Sequence, residues 1–168
     1  TYVATANAAL YCGAEVDFVD IDARTYNMSV SSLEAKLQQA KKDKKLPKLV
    51  VPVHFSGQSC EMKDIWKLSQ EYGFKIIEDA SHALGAEYLG KKVGCCEYSH
   101  MALFSFHPVK MITTGEGGAI VTNDIELDEQ VSLLRSHGIT KDENKFHNES
   151  HGNWYYEQHF LGYNYRLT

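Results

Sequence analysis

The sequence is short of several things, and each shortage closes off a class of protein. It has no long apolar run. The longest clean stretches are only a few residues, such as Leu49 to Val53, and none could span a bilayer as a helix. It has no basic surplus. Seventeen Lys and Arg stand against 22 Asp and Glu, a net charge of −5, which argues against a broad nucleic-acid footprint. It has no paired cysteine spacing. The four cysteines lie at 12, 60, 95 and 96 without a Cys-x-x-Cys, so a disulfide framework or zinc knuckle fits poorly. Four buried or half-buried free thiols in a reducing compartment is the better reading. Two phosphate signatures are also missing: the Gly-x4-Gly-Lys-Ser/Thr loop and the dinucleotide Gly-x-Gly-x-x-Gly turn. No stretch reads as a charged-then-apolar leader.

What is present is ordinary globular composition: 168 residues, 43% hydrophobic and 23% charged, about one domain's worth. The chain opens Thr1-Tyr2-Val3 without Met and closes Arg166-Leu167-Thr168 where a helix could begin. It is therefore read as a segment of a longer protein.

Local patterns alternate. Ala4 to Cys12 reads as a helix stopped by Gly13. Glu15 to Asp22 alternates apolar residues with acids and is expected as a strand. Ser31 and Glu34 form a capping-box pattern opening a helix over Leu33 to Lys42. Lys41 to Lys48 is a basic, solvated loop. Leu49 to Val53 has the continuous apolar character of a strand covered on both faces. Met62 to Tyr72 is a helix with Gly73 as its stop, and Phe74 to Ile77 a second short strand ending in Glu78-Asp79. Ala86 to Val93 is a hairpin turned by Gly90. Met101 to Phe106 and Ala119 to Thr122 are further strands, and Asn123 with Glu126 caps a helix over Leu127 to Ser136. Lys141 to Gly152 is a polar surface excursion. Strands alternating with helices imply an α/β architecture with a mainly parallel sheet. In such sheets ligands gather at the carboxyl ends of the strands.

Three chemically able residues follow apolar strands: Asp79, Ser105 and Lys110, the last before Thr113-Thr114-Gly115-Glu116-Gly117-Gly118. A lysine in a partly dry turn becomes a nucleophile toward aldehydes. Spacing alone favours a solvated loop lysine, and turn-forming for the glycines. Asp79 has three readings: helix N-cap, metal ligand, or partner of a cationic ring. One Asp with one neighbouring His82 is too few for a metal. Among the eight histidines, His147 and His151 are four apart in a stretch without helical pattern, and scattered surface histidines explain them, so no metal is expected. The aromatics Trp154, Tyr155, Tyr156, Phe160, Tyr163 and Tyr165 could stack on a base or sugar, or pack a loop onto the domain.

Four motifs then occur in order: Glu78-Asp79-Ala80-Ser81-His82-Ala83-Leu84-Gly85, Phe104-Ser105-Phe106-His107-Pro108-Val109-Lys110, Thr113 to Gly118, and Gly162-Tyr163-Asn164-Tyr165-Arg166-Leu167. The set resembles the DegT/DnrJ/EryC1/StrS family of pyridoxal-phosphate-dependent sugar aminotransferases, over essentially the whole chain. The resemblance implies a fold-type I transferase large domain, three-layer α/β/α with a mainly parallel sheet. Residues 1–168 would form its central segment, with the upstream phosphate-binding segment and a C-terminal small domain outside it. By position it implies that Lys110 anchors pyridoxal 5′-phosphate and that Asp79 pairs with the pyridinium nitrogen. It implies that His82 stands near the phenolic oxygen, where relatives often have Gln, and that Ser105 donates to the phosphate. Tyr2 would lie over the ring. Asn164 would reach the neighbouring subunit's phosphate in a homodimer with a shared active site, and Arg166 would face phosphate or substrate.

Arg135 to Thr140, Asn148 to Gly152 and Trp154 to Glu157 are further similar to the pseudaminic-acid pathway aminotransferases. That likeness implies L-glutamate as amino donor, a UDP-linked 4-keto-6-deoxy-N-acetylhexosamine as acceptor, and a cytoplasmic enzyme. Two rivals stay open here. One is a nucleotide-sugar dehydratase of the same fold, in which a His replaces the lysine. The other is a non-catalytic cofactor-binding fragment.

Overall fold

The computed structural model describes residues 2–167. They form two compact units, one running to Asn123 and one beginning at Asp124. Among the described residues no helix is long and apolar enough to cross a membrane.

The first unit holds α1 (Val3–Tyr11), α2 (Val30–Lys42), β1 (Leu49–Val50), α3 (Met62–Tyr72), β2 (Lys75–Asp79), β3 (Glu87–Tyr88), β4 (Lys91–Lys92), β5 (Met101–Ser105) and β6 (Gly118–Val121). Its main sheet has the order β1-β2-β5-β6. The first three strands run parallel, and β6 returns antiparallel beside β5. The expected α/β chain with a mainly parallel sheet is thus observed. β3 and β4 form the small antiparallel hairpin expected around Gly90.

The core explains the elements. In α3, Met62, Ile65 and Leu68 recur at helical spacing and are buried, and Gly73 ends the helix at φ 78°, a left-handed cap. They pack with Leu33 and Leu37 of α2, Val50, Phe74, Ile76 and Cys60. Full burial of a side chain such as Ile65 contributes about 1.5–3 kcal/mol.

Several expectations need correcting. Residues 15–22 are not a strand: only an isolated bridge, Ile21 to Met28, forms there. The acids that alternate with apolar residues turn on the backbone instead. Asp17 accepts from the Phe18 N–H at 2.7 Å, Asp20 from Ile21 at 2.8 Å, and Asp22 from Arg24 and Thr25. The α2 cap is Ser29, whose hydroxyl accepts from Ser32 N–H, not Ser31. Cys60 and Cys96 are buried, but Cys12 and Cys95 are exposed; all four are free thiols. Burial pushes the Cys60 thiol up to about 12 and moves Cys96 in the same direction.

The second unit holds α4 (Ile125–Arg135), β7 (Ile139–Thr140) and β8 (Glu157–Gln158), the last two paired antiparallel and not foreseen. Its helix is capped by Asp124, which accepts from Glu126 and Leu127 N–H. Asn123, expected as that cap, donates its side-chain amide to the Cys95 carbonyl.

Candidate active site

Strand pairing decides where the chemistry-bearing residues of the first unit fall. β2 and β5 are parallel neighbours, with Asp79 opposite Leu103. Ser105 ends β5 and pairs with Gly118 of β6. Asp79 and Ser105 therefore stand at the carboxyl ends of adjacent strands, and the loop of residues 106–117 that carries Lys110 leaves from the same edge. Asp79 and Ser105 thus share one end of the sheet, and the loop that carries Lys110 departs from that end.

Asp79 is fixed from several directions. Its N–H donates to Pro52 O at 2.9 Å, and its carbonyl accepts from His54 N–H at 3.0 Å. Its side chain is buried, 7% exposed. One carboxylate oxygen accepts from the Thr5 hydroxyl at 2.9 Å, the other from Ser81 N–H at 3.2 Å. Among the described residues no Lys, Arg or His forms an ion pair with it. A buried carboxylate held by neutral donors, with no cation of its own, fits a positively charged ring nitrogen. Thr5 went unnoticed in the sequence. It lies 74 residues from Asp79, and no local pattern links the two.

The Lys110 loop is laced by its own bonds. Phe106 N–H donates to Gly117 O, Thr114 N–H and the Thr113 hydroxyl both donate to Phe106 O, and Lys110 N–H donates to His107 O at 2.9 Å. Lys110 is half-buried. Gly118 is required where the loop rejoins the sheet, since a Cβ there would lie 2.7 Å from Phe104 O. Ser105 is half-buried and its hydroxyl oxygen accepts from His107 N–H at 3.4 Å. These residues fit pyridoxal phosphate: an amine on an ordered loop, a hydroxyl, and a carboxylate without a cation.

His82 is exposed in the turn after β2. Gly57, at φ 88°, lets the segment after β1 approach the His82 carbonyl, which a Cβ would meet at 2.8 Å. Tyr2 is 76% exposed and occupies the N-cap position of α1 without a side-chain cap bond. Asn164 and Arg166 belong to the second unit. Asn164 bridges Ser136, and Arg166 Nε donates to Asn164 Oδ1 at 3.0 Å.

Beneath the site runs a second arrangement that sequence reasoning missed. Glu78, next to Asp79 and on the opposite face of β2, is 5% exposed. His54, fully buried, accepts Cys60 N–H at its Nδ1, so Nε2 carries the proton and donates to Glu78 Oε2 at 2.8 Å. The Ser99 hydroxyl donates to Oε1. No buried side-chain nitrogen or oxygen among the described residues lacks a partner.

The aromatic run divides. Tyr155 packs edge-on against Phe146, with ring centroids 5.0 Å apart, and its hydroxyl donates to Glu157. Trp154 is 72% exposed.

Comparison with known proteins bears on this arrangement. A model of the DegT/DnrJ/EryC1/StrS aminotransferase family matches residues 1–168. The chain is 47% identical over 168 residues to the UDP-4-amino-4,6-dideoxy-N-acetyl-beta-L-altrosamine transaminase of Campylobacter jejuni subsp. jejuni serotype O:23/36, covering 100% of this chain and 41% of that protein. It is 40% identical over 168 residues to the GDP-perosamine synthase of Caulobacter vibrioides, covering 100% of this chain and 40% of that one. Among solved structures, Helicobacter pylori PseC, an aminotransferase involved in the biosynthesis of pseudoaminic acid, matches with a TM-score of 0.84 at 36% identity, over 99% of this chain and 40% of that chain. The chain thus spans about 40% of the length of these relatives.

Proposed function

This chain belongs to the DegT/DnrJ/EryC1/StrS aminotransferase family, and from that premise we propose that the whole protein is a pyridoxal-phosphate-dependent sugar aminotransferase. It moves an amino group from L-glutamate to C4 of a UDP-linked 4-keto-6-deoxy-N-acetylhexosamine, acting as a cytoplasmic homodimer. The observation that carries this reading is the gathering of buried Asp79, Ser105 and the Lys110 loop at one edge of a parallel sheet. The likeness to the altrosamine transaminase supports the acceptor class.

Bound pyridoxal phosphate supplies an aldehyde that joins amines and a cationic ring that takes up the electron pair released when a C–H bond ionises. The protein supplies position and charge. Asp79, oriented by Thr5 and Ser81, would keep a proton on the ring nitrogen. Lys110 would hold the cofactor through its Nζ, and the same nitrogen would take a proton from the donor's α-carbon and give one to C4 of the acceptor sugar. Ser105 would donate its hydroxyl to the cofactor phosphate, Tyr2 would cover the ring and His82 would stand near the phenolic oxygen. Asn164 would serve the neighbouring subunit's phosphate, and Arg166 would face phosphate or substrate.

The test uses the whole protein with glutamate and the UDP-linked 4-ketosugar, following 2-oxoglutarate and aminosugar. Lys110→Ala should abolish covalent retention of the cofactor after borohydride treatment, and turnover with it. Asp79→Asn should leave the fold intact and cut turnover by orders of magnitude. Wild-type turnover in Lys110→Ala would sink the reading. So would a deoxygenated product formed without any glutamate requirement, which is the outcome of a dehydratase.

A further inference from the structure

The second unit brings together two histidines that the sequence separates. His147 and His151 invited pairing by their spacing, but His151 turns to the Tyr155 ring, at 5.7 Å between centroids. His147 meets His159 instead, with ring centroids 4.6 Å apart and the rings edge to face. Glu157 lies between them, and one ligand-capable atom from each of the three lies within 4.8 Å of the other two.

We propose that His147, Glu157 and His159 bind a divalent transition-metal ion of the zinc class. The spacing suits it: Glu157 Oε2 and His159 Nε2 are 3.2 Å apart. Two ligands bonded at about 2.0–2.1 Å to one tetrahedral ion lie roughly 3.3 Å from each other. Residues 157 and 159 are two apart along an extended segment and so face the same way. Two imidazoles and one carboxylate form a donor set for zinc, nickel or copper rather than for magnesium or calcium, which want oxygen alone.

The carboxylate is already oriented. Oε1 accepts from Asn148 N–H at 2.9 Å, from the Asn148 side-chain amide at 3.0 Å and from the Tyr155 hydroxyl at 2.9 Å. Those three donors hold the carboxylate plane while Oε2 faces His159. Oε2 also accepts His147 N–H at 2.7 Å, which draws the backbone that carries the first histidine to the same place. Partners of this kind fix a ligand's direction before the ion arrives. Asn148 and Gln158 line the rest of an open cleft around the three, leaving room for a water ligand. On binding, the ion takes the place of the hydrogen between Nε2 and Oε2, and the neutral His159 ring carries its one N–H on Nδ1. The ion would clip the loop at 146–148 to β8. This site stands independently of the transaminase reading.

The test is a zinc titration of the whole protein after chelator treatment, in competition with a chromophoric chelator, with cobalt absorption as a second readout. One equivalent should bind in the micromolar range or tighter. His147→Gln and His159→Gln should each weaken it by at least about tenfold. His151→Gln, in the same excursion, should leave it unchanged. His147 is exposed, so its variant keeps the fold. Zinc should also raise the thermal midpoint of the wild type but not of the double variant. No retained zinc at micromolar concentration would overturn the proposal. Binding by the double variant equal to wild type would do the same, as would equal weakening in His151→Gln.

Discussion

Each unit of the molecule nearly buries one glutamate, and the two are used in opposite ways. Glu78 sits within a unit that has a nine-member apolar cluster, and its bonds from His54 and Ser99 run alongside that core. Glu157 sits in a unit where the buried residues among those described are Gly138, Thr140 and the glutamate itself. There the carboxylate is the centre, gathering N–H and O–H groups from 147, 148 and 155. The first unit would collapse on hydrophobic burial alone, and its polar bonds choose the arrangement. In the second, the polar bonds hold the loop in place.

The comparison breaks first at His54. His54→Ala strips Glu78 of its principal partner and Cys60 N–H of its acceptor, in a fully buried setting. Each buried polar group left without its partner costs about 1–3 kcal/mol, and more for a charged one; this change strands two. Hydrogen exchange across α3 and β2 should show it as loss of protection in the first unit. Unchanged protection there would mean that the polar seam carries no weight.

Apolar truncation should separate the units next. Ile65 is fully buried, and Ile65→Ala is expected to cost about 2–5 kcal/mol in denaturant unfolding. Leu134 on α4 is 41% exposed, and Leu134→Ala should stay within about 0.5 kcal/mol. Equal losses would erase the contrast between an apolar and a polar centre.

Acid should act the other way. The backbone N–H of His147 foremost, with Asn148 and the Tyr155 hydroxyl, draws the Glu157 carboxyl from its ordinary 4.5 down to about 2. A group whose folded pKa is depressed stabilises above its unfolded value and loses that contribution as pH falls through the folded one. Exchange protection over residues 146–159 should therefore fall between pH 4.5 and 2. Glu157→Gln should show reduced protection already at neutral pH and a flat profile below it. A variant with the wild-type slope would remove Glu157 from the centre of this unit.

What could be read from the chain follows the range of the forces involved. The limits of α3 were legible because helical spacing and a left-handed stop at Gly73 act within a few residues. β2 and β5 were legible as short apolar runs, and their ends located Asp79 and Ser105. Residues 15–22 misled because alternation is shared by strands and by acids that bond their own backbone. Contacts between distant residues left no local mark. Thr5 with Asp79, His54 with Glu78 and His147 with His159 each depend on segments far apart in sequence brought together by the fold.

The smallest effect tests helix ends, where the same cap works on different foundations. Ser29 caps α2, which buries Leu33 and Leu37, while Asp124 caps α4, which buries nothing among the described residues. Each cap satisfies N–H groups that the first turn leaves open, and its loss to Ala costs about 1 kcal/mol. Ser29→Ala should lower stability by that amount and leave the α2 amides protected, because Leu33 and Leu37 still pin the first two turns to the core. Ser31→Ala should cost less, since its hydroxyl only meets that of Ser29 at 3.0 Å. Asp124→Ala should instead fray α4 at its start, visible as faster exchange at Glu126 and Leu127, whose N–H groups lose their acceptor. Equal fraying of both helices would mean that burial under α2 does not reach its first turn, and the distinction between the two units would then be one of chemistry at the centre alone.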